Sequence, residues 1–67
     1  MEENLIEIYS ADQQYKINIV QEILAENKID SVTLDQKGSA LGIGEIKLFV
    51  DKEDEKKARA IIATHNL

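Results

Sequence analysis

A chain of 67 residues with 43 % apolar and 31 % charged side chains has the composition of one small globular domain, too short for two domains with a cleft between them. It holds no cysteine, which excludes disulfides, CxxC redox chemistry and thiolate metal sites. Eight Lys and Arg against thirteen Asp and Glu leave a net charge of −5, the wrong sign for gripping a phosphate backbone with clustered cations.

Leu5-Ile6-Glu7-Ile8-Tyr9 is short, rich in β-branched and aromatic side chains, and reads as a first strand ending at Ser10. Ser10 and Gln13 have the spacing of a capping box, with Asp12 in the first helical turn. Tyr15, Ile17, Ile19, Val20, Ile23 and Leu24 then fall within an arc of about 200° at the helical period. A first helix running to Asn27 is expected, that arc facing the core. Ile29 to Asp35 alternates at period two from Asp30 onward, as a half-buried strand does. Gln36 to Gly44 holds all three glycines and reads as a loop. Glu45 to Val50 alternates again, with Ile46, Leu48 and Val50 on one face. Asp51 is placed to cap a second helix, whose first turns carry Glu53, Asp54 and Glu55. Ala58, Ile61, Ile62 and His65 form its packing stripe.

The order β-α-β-β-α implies an α+β domain. The second and third strands form a hairpin, while the first and second are joined by a right-handed crossover through a helix. Placing the third strand between them gives a ferredoxin-like plait lacking the fourth strand, an antiparallel three-stranded sheet of order 1-3-2 with two helices on one face. Alternation sends Ile6, Ile8, Val32, Leu34, Ile46, Leu48 and Val50 toward the helices. Leu5, Glu7, Tyr9, Ser31, Thr33, Asp35, Lys47 and Phe49 are expected on the uncovered face. The strand-1 edge, where a fourth strand would lie, is expected to be open.

Four stretches resemble the putative prokaryotic signal-transducing protein family, small bacterial domains of unknown function with a ferredoxin-like fold related to the nitrogen-regulatory PII proteins. They are Ile6 to Ala11, Ile19 to Ile29, Gly44 to Val50 and Lys57 to Ile62. The resemblance covers nearly the whole chain. Many members have Gly where Lys28 precedes Ile29 here. It implies signalling by analogy of fold, and it brings no catalytic or ligand residues with it.

The surface that stands out is the open face. Leu5, Tyr9 and Phe49 would form an apolar patch there, with Glu7, Thr33 and Lys47 around it. Isolated apolar side chains on a surface are ordinary, but a contiguous patch on a small acidic domain marks an interaction site. An exposed strand edge adds a second means of association, and a two-fold dimer through the first strand would satisfy both copies. The alternative is a small-ligand sensor built on loop 36–44, with Lys37, Gly38, Ser39, Gly42 and Gly44 as its contacts. That loop joins two strands, whereas phosphate-binding loops lead from a strand into a helix.

His65 is the lone histidine and has no second metal ligand at helical or hairpin spacing. The acidic run Asp51, Glu53, Asp54 and Glu55 lacks the spacing and glycine of a calcium loop. Aromatic side chains on a sheet can stack bases, but Lys47 is the lone cation near them and the net charge opposes nucleic acid. Neither a basic leader nor an apolar run of membrane-spanning length appears. The expectation is a non-enzymatic cytoplasmic regulatory or protein-interaction domain, without catalytic residues, metal or cofactor. Its partner would be a second copy or another protein, not nucleic acid or membrane.

Overall fold

The computed structural model describes residues 4–35 and 45–65. Strand β1 spans Leu5–Ala11, helix α1 Gln14–Glu26, strand β2 Ser31–Asp35, strand β3 Ile46–Asp51 and helix α2 Glu55–Thr64. A single 3₁₀ turn over Lys52–Asp54 leads from β3 into α2. The strands form one antiparallel sheet of order β1-β3-β2, the arrangement expected from the sequence.

Ile17, Val20 and Leu24 of α1 and Ala58 of α2 are buried with Ile8, Ile29, Ile46, Leu48 and Val50. Residues 46, 48 and 50 recur at period two, so the middle strand turns one face into this core. Ile61 and Ile62 pack at its margin, continuing the stripe begun by Ala58. The arc assigned to α1 is narrower than expected. Tyr15 and Ile19 are 57 % and 44 % exposed, because they lie on the side of the helix opposite Ile17 and Leu24.

Three termini differ in instructive ways. The capping box at Ser10 does not form, since Ser10 and Ala11 continue β1 and pair with Lys47 and Ile46. Helix α1 therefore starts after Gln13, whose side chain makes no capping bond. At its other end Lys28 N–H donates to the Ala25 carbonyl and Ile29 N–H to the Leu24 carbonyl, both at 2.9 Å. Lys28 has φ 64°, so this is a Schellman motif with Lys28 left-handed and Ile29 packed into the core with Leu24. Asp51 does cap, its Oδ1 accepting from Glu53 N–H at 2.9 Å, but it caps the 3₁₀ turn that precedes α2.

Candidate interaction surface

Side chains directly opposite one another in an antiparallel pair share a face of the sheet. Since Leu48 and Val50 face the helices, the register assigns every other strand position. On β2, Ser31 lies opposite Val50 and Thr33 opposite Leu48, while Val32 lies opposite Phe49 and Leu34 opposite Lys47. Val32 and Leu34 are thus on the uncovered face, 50 % and 48 % exposed, and the expected assignment of β2 is reversed. The cause is Ile29. It is anchored in the core by the helix terminus just described, and counting by two from it sends Ser31, Thr33 and Asp35 to the helix side. Gln21 of α1 donates to Ser31 Oγ at 3.2 Å, while Thr33 and Asp35 beyond it remain exposed.

On β1 the register slips between Glu7 and Tyr9, leaving Ile8 as the extra residue of a β-bulge. Before the bulge, Leu5 and Glu7 share the open face with Asp51 and Phe49. After it, Tyr9 lies opposite Leu48 and packs against the buried core. Tyr9, expected on the open face, therefore belongs to the other side. The bulge turns both Ile8 and Tyr9 inward, which strict alternation cannot do.

The open face gathers Leu5 from β1, Phe49 from β3 and Val32 and Leu34 from β2. They line a groove of about 260 Å³, which Thr33 also borders although its register position is on the helix side. Glu7 and Lys47 stand beside Phe49 as diagonal cross-strand neighbours, their charged ends 3.9 Å apart. Of the residues expected on this face, Leu5, Glu7, Lys47 and Phe49 lie on it by register, Tyr9 and Thr33 fall on the helix side, and Val32 and Leu34, expected in the core, lie on it instead. The sequence contained the signal in Ile29, whose parity opposes that of Val32 and Leu34. It contained no local signal for the bulge.

β1 is an outer strand of the sheet, as expected, and one of its carbonyls is engaged. Arg59 of α2 is held by Glu55 Oε2 at 2.9 Å and donates through Nη2 to the Glu7 carbonyl at 3.4 Å. A bulge and a cation along an edge both hinder the addition of another strand. His65 is exposed, its Nδ1 3.0 Å from the Ile61 carbonyl at the end of α2. Among the described residues no three His, Asp or Glu side chains are grouped to hold a metal ion, and no helix is long and apolar enough to cross a membrane. The proposed ligand contacts Lys37, Gly38, Ser39, Gly42 and Gly44 lie outside the described residues.

A family model described as putative prokaryotic signal transducing protein matches residues 5–66. No curated protein and no solved structure matches the chain.

Proposed function

The chain belongs to the family of putative prokaryotic signal transducing proteins, and from that membership we propose a small regulatory domain without catalysis of its own, which docks protein on its open sheet face. One observation carries this reading: Leu5, Val32, Leu34 and Phe49 converge from three strands on the side of the sheet away from the helices. A solvated sheet face normally alternates to polar. Here four apolar side chains border one groove, and patches of that kind mark interaction sites. The groove is shallow and open, bordered by Leu5, Val32, Leu34 and Phe49, and such an apolar surface suits the anchor side chain of a protein.

The reading is tested by the double substitution Val32→Thr with Leu34→Thr, which keeps β-branched or strand-compatible shape while making the face polar. Proteins that co-purify with the intact domain from its own cells should be lost with this variant. They should be retained by Ile19→Ser, which changes an equally exposed apolar residue on α1. Equal retention by all three proteins would overturn the assignment of the face.

A further inference from the structure

We infer that the occupant of the open face is a cationic amphipathic helix of another protein, an inference that rests on the docking reading above. Three features of the face narrow the occupant. First, it is small. Three strands about 4.8 Å apart and about 20 Å long span a plane of about 290 Å², whose side chains offer accessible surface of a few hundred Å². A stable complex buries about 800 Å² on each partner, so the face suits a single element and a transient contact better than a second copy of the domain.

Second, the face offers side chains and no backbone hydrogen bonds, which a sheet presents only at its edges. An occupant lying across Leu5, Phe49, Val32 and Leu34 must satisfy its own backbone, and a helix does so. An added strand would need an edge, and Arg59 stands at the β1 edge beside the bulge.

Third, the charge on this face is negative in balance, Glu7 and Asp51 against Lys47. Among the described residues of this face Lys47 is the one cation, and it is already engaged with Glu7. Asp51 is exposed at the same face, opposite Leu5, and the chain as a whole carries −5. A second copy would bring the same excess of negative charge, whereas a helix with Lys or Arg flanking its apolar stripe complements it.

The test is a titration of the isotopically labelled full chain, followed by its backbone amide signals. Three synthetic peptides of equal length serve as probes. One is a Leu/Lys peptide with Leu at i, i+3, i+4 and i+7, the second has Glu for every Lys, and the third has Ser for every Leu. Shifts clustered at residues 5, 32, 34 and 49 with the Leu/Lys peptide are expected. Binding should weaken about tenfold or more with either other peptide and with Val32→Thr, the scale of losing an anchor contact. Ile19→Ser should leave it unchanged.

Equal binding of the Leu/Glu peptide at the same residues would overturn the cationic helix and leave the docking face standing. So would concentration-dependent shifts of that face without peptide, which would make a second copy the occupant. Equal binding of the Ser/Lys peptide, or shifts centred on α1, would reduce the contact to general charge attraction and overturn the inference. If no peptide moves the face and it does not self-associate, the inference fails, while the co-purification test decides the docking reading separately.

Discussion

Lys28 shows how one residue can decide what a strand presents. Its φ of 64° lies in the left-handed region, where a side chain with a Cβ is disfavoured by about 1–2 kcal/mol relative to glycine. The chain accepts this because the two hydrogen bonds from Lys28 and Ile29 close α1 and drive Ile29 into the core. Lys28→Gly should therefore stabilise the domain. The relief is partly offset by the greater freedom of glycine in the unfolded chain, leaving a gain of about 0.5–1 kcal/mol. In a domain of this size that raises the melting temperature by several degrees, on the order of 4 °C. Urea unfolding with an unchanged slope and a higher midpoint would establish it; a lower midpoint would mean that the lysine side chain is itself holding the terminus. Ile29→Ala tests the same joint from the other side, and should cost about 2–5 kcal/mol, a large share of the stability of so small a protein.

At the scale of elements, existence and order were legible in the sequence, and facing was legible only in part. The alternation of Ile46, Leu48 and Val50 placed the central strand correctly, since buried and exposed positions there obey a strict period of two. The outer strands escaped for two different physical reasons. In β2 the apolar residues are not the ones that face the core, because α1 covers the strand only near Ser31, and Ile29 supplies the buried anchor ahead of it. In β1 a bulge at Ile8 changes the parity halfway along, and a bulge depends on the pairing of both strands rather than on a local motif. The exchange of Tyr9 for Val32 has a measurable signature. Tyr9→Ser removes an aromatic ring packed at the core and should destabilise by about 1–3 kcal/mol, below the range for a fully buried aromatic. Val32→Thr removes a side chain already half in water and should stay within about 0.5 kcal/mol of the parent. Paired thermal or urea unfolding curves decide the matter, and a reversed ranking would contradict the register.

Taken as a whole molecule, the domain exposes apolar side chains on a face while protecting at least one edge. A net charge of −5 opposes close approach of copies, but it acts over the Debye length and fades in salt. At short range two local features bear on strand addition along β1: the bulge at Ile8 interrupts the regular register, and Arg59 Nη2 donates to the Glu7 carbonyl. Arg59→Met separates this role from stability, because methionine keeps the helix and most of the apolar stem. The lost Glu55 pair is an exposed i,i+4 contact worth a few tenths of a kcal/mol, so unfolding should move by no more than about 0.5 kcal/mol. Association should change far more. Without the cation the edge carbonyl is free to accept from another strand, and sedimentation at 0.5 M salt, an ionic strength on the order of that needed to shorten the Debye length to half its physiological value, should show a larger share of heavier species than the parent at the same concentration. If Arg59→Met sediments like the parent under those conditions, the Arg59 contact has no part in setting how β1 associates.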